Sequence, residues 1–305
     1  MREQGPIIVP LDGSELAEAA LPYAAALAEA LHTHLVLVTV WEGTESELGA
    51  TFPAMAMDIE KSATSYFTLY LDGIRARYGR ADQTRDIVRM GDASEEILKA
   101  IDETGARLLV IATHGRSGMG RWIYGSTAGR LLRTSHVPIV AVGPNVPARS
   151  DKIAVKHLMV PLDGSPLSEA ALPVAVTLAA PLGAKVSLVR GVRWAVQAYP
   201  YSLPDAYIPQ IDDELEAGAK AYLRRIEGEV KAGAQNVDVD AFVVRGAVAD
   251  GLMDVVEKQA VDLVVMTTHA RAGIARAALG STADRMLQGK APVLLVPPEA
   301  DATKA

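Results

Sequence analysis

Residues 9–22 read VPLDGSELAEAALP, and residues 160–173 read VPLDGSPLSEAALP, with twelve of fourteen positions identical. The pairing continues along the chain. Asp12 matches Asp163 at an offset of 151. Gly91, His114 and Gly125 match Gly246, His269 and Gly280 at 155, and Pro138 matches Pro292 at 154. A period near 150 residues is too long for a solenoid repeat and marks a duplicated domain. The changes of offset fall in connections, where a fold used twice tolerates insertion. A chain of 305 residues accommodates two such domains, each with its own core. The expected boundaries are 1–146 for the first domain, 147–156 for a linker, 157–298 for the second domain and 299–305 for a disordered tail.

Within each unit, short β-branched runs alternate with helical patterns. The first unit has PIIVPL, HLVLVTV, TRDIVRM, RLLVIAT and PIVAV as strands. Helices are expected over 14–31, 58–78, 94–104 and 126–135. The strands are nearly continuous apolar runs, the pattern of a parallel sheet buried on both faces. Strand–helix–strand alternation then gives right-handed crossovers in an open α/β sheet, five-stranded and mostly parallel, with helices on both faces. Ser14 and Ser165 are expected as helix N-caps, and Pro22 and Pro173 as interruptions of the first helix. Ligands of such sheets bind beyond the carboxyl ends of the strands. PLDGS, VTVWE, RMGDA and ATHGRSGMG are therefore the places to look for function.

Composition removes several function classes. The net charge of −7 argues against nucleic-acid binding, which rests on clustered Lys and Arg. With no cysteine there is no disulfide, thiolate nucleophile or thiolate metal site. The opening apolar run is too short for a signal peptide, and no run approaches a membrane span. The expectation is a cytoplasmic protein. His32 and His34 lack neighbouring acidic ligands, so no direct metal site is expected.

The strand-end motifs are individually ambiguous. Gly115 to Thr127 follows a strand and opens a helix, where backbone N–H groups can meet phosphate. Gly120 to Thr127 approaches the P-loop pattern but carries Ser126 where the lysine belongs, so it is not a Walker motif. Arg116, Arg121, Arg271 and Arg276 flank these loops, as phosphate contacts or as solvated surface. Asp12 could meet a ribose or base, or simply form an Asx-turn completed by Gly13. No nucleophile–base pair is legible, so no catalytic residue is assigned.

Together the motifs resemble the universal stress protein family, along nearly the whole of both halves. The family signature G-x2-G-x9-G-[ST] is matched by Ala112, Gly115, Gly125 and Ser126, its strand-one aspartate by Asp12, and its second-strand end by Val40. The resemblance implies an ATP-binding (or ADP- or AMP-binding) domain, with Mg or Mn carried by the phosphates. The binding residues it implies in the first unit are Pro10, Leu11, Asp12, Val40, Ala112, His114, Gly115, Gly125, Ser126 and Thr127. In the second they are Pro161, Leu162, Asp163, Gly191, Thr267, His269, Ala270, Gly280, Ser281 and Thr282. It also implies a fused pair joined through the last strand of each domain, with a further homodimer of chains open. The second unit departs more from the pattern: Thr267 and Ala270 replace both leading glycines, and Gly191 replaces Val40. A methyl at Ala270 would occupy the space of closest phosphate approach, which makes the first unit the expected nucleotide site. A stress regulator acting through conformational change or partner binding is the leading expectation. A slow ATPase and a nucleotide-free scaffold remain as alternatives. Residues 42–57 and 194–213 differ most between the halves and are the candidates for partner contacts.

Overall fold

A computed structural model describes residues 5–41, 53–78, 84–113, 124–148, 153–194, 208–234, 236–267 and 279–298. The chain divides into two compact units, Met1–Pro144 with Ala148–Ile153, and Asn145–Pro147 with Ala154–Ala305.

The first unit runs β1 (Ile7–Pro10), α1 (Glu15–Glu18), α2 (Leu21–Ala30), β2 (Leu35–Trp41), α3 (Pro53–Tyr78), β3 (Thr84–Met90), α4 (Ala93–Thr104), β4 (Leu108–Ala112), α5 (Ser126–Thr134) and β5 (Ile139–Val142). Its strands lie in the order β3-β2-β1-β4-β5, and these neighbours pair in parallel. The second unit repeats the plan with β6 (His157–Leu162), α6 (Pro166–Glu169), α7 (Leu172–Leu182), β7 (Lys185–Val192), α8 (Ile208–Gly233), β8 (Val239–Arg245), α9 (Val248–Lys258), β9 (Leu263–Thr267), α10 (Ser281–Leu287) and β10 (Val293–Val296). Its order is β8-β7-β6-β9-β10, again parallel. The expected fold class is the observed one.

The central strands are buried on both faces: Ile7, Ile8, Val9, Leu108, Leu109 and Val110 have no exposed surface. That is why they read as unbroken apolar runs. Ser14 and Ser165 cap α1 and α6, and Pro22 and Pro173 sit in the first turns of α2 and α7. Proline is tolerated there because the N–H it lacks has no intrahelical partner. Each expected first helix is accordingly split in two. The helix expected over 58–78 begins five residues earlier, at Pro53.

Candidate functional site

In each unit β1 or β6 is flanked by the strand that follows it and by the fourth strand of its unit. The connection order reverses between those neighbours, and a crevice opens beyond their carboxyl ends. In the first unit this crevice is a cavity of about 270 Å³. Pro10, Leu11 and Asp12 line it from the end of β1, Val38 and Val40 from β2, and Ile111 and Ala112 from β4. Ala93 and Ile97 of α4, and Gly125, Ser126 and Thr127 at the start of α5, complete its walls. Eight of the ten first-unit residues named from the sequence thus line one cavity. His114 and Gly115 lie outside the described residues.

Local chemistry builds these walls. The Leu11 N–H donates to the Val38 carbonyl at 2.8 Å, which carries the β1–β2 ladder to the lip of the crevice. Asp12 Oδ1 then accepts from the Ser14 N–H at 2.9 Å and from its hydroxyl. Gly13 closes this Asx-turn at φ +79°, where a side chain would be strained. The Ser14 hydroxyl in turn accepts from the Ala17 N–H and starts α1. Across the crevice, the Gly125 N–H donates to the Thr113 carbonyl at 3.1 Å, which seats the start of α5 beside the end of β4. No side chain caps α5. Its first N–H groups have no intrahelical partner, and with the helix dipole they favour an anion at this wall. Arg130 ties α5 to α4 through Asp92 at 3.0 Å and Glu95 at 2.8 Å, and Asp92 also caps α4. Behind the turn, the Tyr70 hydroxyl donates to Glu18. Burial, Glu18 and the charge of Asp12 all push that hydroxyl far above its ordinary range.

The second unit keeps the turn. Asp163 Oδ1 accepts from the Ser165 N–H at 2.8 Å and from its hydroxyl, with Gly164 at φ +89°. The surroundings differ. Where the first unit has Val40 opposite Ala93, the second has Gly191 opposite Val248, at the offsets of 151 and 155. Large and small have changed places. Val248 lies so close over Gly191 that a Cβ added there would meet its Cγ1 at 2.2 Å. Thr267, in place of Ala112, donates its hydroxyl to the Leu167 carbonyl at 2.8 Å and ties the end of β9 to α6. Gly280 opens α10 at φ +87°, whereas Gly125 opens α5 at φ −50°. Ala247 replaces Asp92, and α9 has no side-chain cap. Pro161 and Leu162 end β6, and Ser281 and Thr282 begin α10. His269 and Ala270 lie outside the described residues, as do Arg116, Arg121, Arg271 and Arg276.

Sequence reasoning missed Ala93 and its counterpart Val248. The repeat alignment contained the signal, a small residue exchanged for a larger one in register with the opposite exchange at Val40 and Gly191. A buried polar string in the second unit does not add a catalytic site. His157 meets Ser187 Oγ at 2.7 Å, and Ser187 donates to Asp240. The serine stands between histidine and aspartate, so the imidazole is not oriented by the carboxylate as a triad requires. His157 opens β6, at the opposite end of that strand from the crevice.

A model of the universal stress protein family matches residues 5–143 and again residues 154–297. A universal stress protein of Mycolicibacterium smegmatis is 30% identical over 199 residues, covering 63% of this chain and 62% of that protein. Universal stress protein Rv2005c of Mycobacterium tuberculosis is 28% identical over 195 residues, covering 62% and 61%. The chain therefore spans about three fifths of the length of these curated relatives. The crystal structure of a universal stress protein from Archaeoglobus fulgidus shares the fold with a TM-score of 0.67, over 96% of this chain and 98% of that one, at 18% identity. No helix among the described residues is long and apolar enough to cross a membrane. With the family model matched once in each half, the chain belongs to the universal stress protein family, as a tandem two-domain member.

Proposed function

We propose that the first unit binds an adenine nucleotide and that the protein acts in the cytoplasm as a stress-response regulator, through conformational change or partner binding. The observation that carries this reading is the cavity at the topological switch point. It brings the Asp12 turn, an apolar slot and an uncapped helix start together. The residues fit the parts of a nucleotide. Val38, Val40, Ala93 and Ile97 offer an apolar wall for the base, and the Leu11 main chain its polar edge. Asp12, already held by its turn, accepts from ribose hydroxyls. Ser126 and Thr127, at the helix start that Gly125 opens, present N–H and hydroxyl donors to phosphate. At about 270 Å³ the cavity suits the nucleoside, with the phosphates directed along the start of α5. Mg or Mn comes with the phosphates.

The second unit, on the same reading, holds its crevice closed with its own side chains, Val248 over Gly191 and Thr267 on α6. Calorimetric titration of the full chain with ATP, ADP and AMP, with and without Mg or Mn, tests both statements. One nucleotide bound per chain is the expected result. No binding, together with no nucleotide released on heat denaturation of the purified protein, removes the proposal. Two equivalent sites remove its second half.

A further inference from the structure

The long helix of the first unit carries an apolar face turned away from its sheet. Leu71 and Ile74 of α3 are buried against the unit, whereas Tyr66 is 65% and Leu69 73% exposed. Met55 and Ile59 are exposed as well. Met55, Ile59, Ser62, Tyr66, Leu69 and Gly73 follow one another at intervals of three or four residues, so they form a single stripe. The fold itself does not demand this stripe. Tyr70 and Tyr222 play the same part in their units, each donating to a glutamate of the preceding short helix, and they fix the register between α3 and α8. In that register Ile59 keeps an isoleucine in Ile211, but Ser62, Tyr66, Leu69 and Gly73 correspond to Glu214, Gly218, Ala221 and Arg225, and the stripe is broken from its middle onward.

Its residues are also arranged symmetrically about residue 64. Two copies of α3 packed antiparallel about a two-fold axis there set Met55 against Gly73 of the other copy, Ile59 against Leu69, and Ser62 against Tyr66. Each bulky end of the stripe meets a small residue, and the two mid-sized aliphatics meet each other. A Cβ added at Gly73 would meet nothing within 4 Å, so that position leaves open space for a facing side chain. Tyr66 is a suitable anchor, since its ring stands edge-on against Phe67 with the centroids 5.4 Å apart. The arginines at the C-terminal end are engaged within the chain, Arg75 by Asp72 and Asp86 and Arg77 by Glu18, so docking leaves no unpaired guanidinium. Self-complementarity of this kind is what an isologous contact requires.

We infer that this face of α3 is a homodimer contact, occupied by the same face of a second copy. From Met55 to Gly73 the stripe is about 27 Å long and, at helix width, about 12 Å across. Such a strip carries on the order of 500 Å² of accessible surface, so two copies bury about 1,000 Å², the lower end for a specific interface. The dimer is therefore weak and reversible. Sedimentation velocity of the full chain across the micromolar to millimolar range tests this without reference to nucleotide. The wild type shifts from monomer to dimer with concentration. Leu69→Glu, at a surface position, leaves the unit folded by circular dichroism and raises the dimer Kd at least about tenfold. Ser62→Tyr alone, which sets two rings against each other, does the same. The exchange Ser62→Tyr with Tyr66→Ser restores dimerisation, because the large–small pairing returns with its sides reversed. A wild type that stays monomeric throughout, or a dimer indifferent to Leu69→Glu, overturns the contact. A folded exchange variant that remains monomeric overturns the two-fold register.

Discussion

The two units of this chain share the aspartate turn and a Gly-Ser-Thr helix start, and differ in the side chains packed beside them. Asp12 and Asp163 accept the same pair of serine hydrogen bonds, and both turns start a helix. Around the first turn, Val40 and Ala93 border an open cavity. Around the second, Val248 rests on the backbone of Gly191, and Thr267 is bonded to the facing helix. The lesson concerns what the repeated segment reports. An Asx-turn followed by a serine cap is needed to start α1 and α6 whether or not a ligand is bound. Near-identity of the two fourteen-residue segments is therefore explained by folding alone. The structural difference sits in three paired positions, Val40 and Gly191, Ala93 and Val248, and Ala112 and Thr267, of which only the Ala93 pair lies outside the family pattern.

The largest effect expected is at Asp12. On our reading it is the one side-chain carboxylate from the end of β1 that meets the ligand. Removing a charged hydrogen-bond acceptor from a binding site weakens affinity by about 10- to 100-fold. Asp12→Ala should show this by titration with ATP, while Asp163→Ala leaves affinity within about twofold, since on our reading the second unit takes no nucleotide. Equal losses from the two substitutions would break the comparison. Next comes transplantation of the apolar exchange. Val40→Gly with Ala93→Val gives the first crevice the second one's packing and should lower affinity by roughly tenfold, the discrimination a methylene or two provides in an apolar pocket. If the doubly substituted protein binds as tightly as wild type, the Val248 contact is not what closes the second unit.

The fold was legible almost to the residue where chemistry is local. The serine caps, the interrupting prolines and the doubly buried strands each follow from one rule applied to a few neighbours. The site was legible in part. Asp12, Val40 and the Gly125 turn came from strand-end position and from the family pattern, and the structure gathers them around one cavity. Ala93 escaped because it has no chemistry of its own. Its role is to be small at a point where another strand's side chain arrives; the repeat alignment holds its exchange for Val248, and the three-dimensional register of β2 against α4 shows what that exchange faces. The start of α3 escaped for a related reason, since nothing in Pro53 to Met57 marks a boundary by charge or capping.

A smaller effect tests the packing without any ligand. Gly191→Ala places a methyl group 2.2 Å from Val248 Cγ1 unless the helix or strand moves. Overpacking of this kind costs about 1–3 kcal/mol. The matching change in the first unit, Val40→Ala, removes methyl groups beside an open cavity and costs less, about 1 kcal/mol. Adding Val248→Ala should recover most of the Gly191→Ala loss in denaturant unfolding, as expected of residues in direct contact. Additive losses would show that the two residues do not press on each other.

The smallest effect is a difference in acid sensitivity. Burial, with Arg85 nearby, holds the His34 imidazole of the first unit below its ordinary value of 6.5. A depressed histidine favours the neutral form in the folded state. Its contribution is complete above about pH 6.5 and is lost as pH falls through the folded value. In the second unit, burial raises the Asp240 carboxyl, but hydrogen bonds from Ser187 and Lys185 outweigh it and hold the group below 3.8. That contribution is lost only in stronger acid. Asp86 of the first unit, pushed up mainly by burial, acts in the opposite sense, but only as pH approaches the carboxylate range. Between pH 7 and 5.5 the first unit should therefore lose hydrogen-exchange protection slightly while the second does not, and His34→Asn should remove the difference. Equal loss in the two units, or a loss that survives His34→Asn, would show that the pH response does not follow this asymmetry.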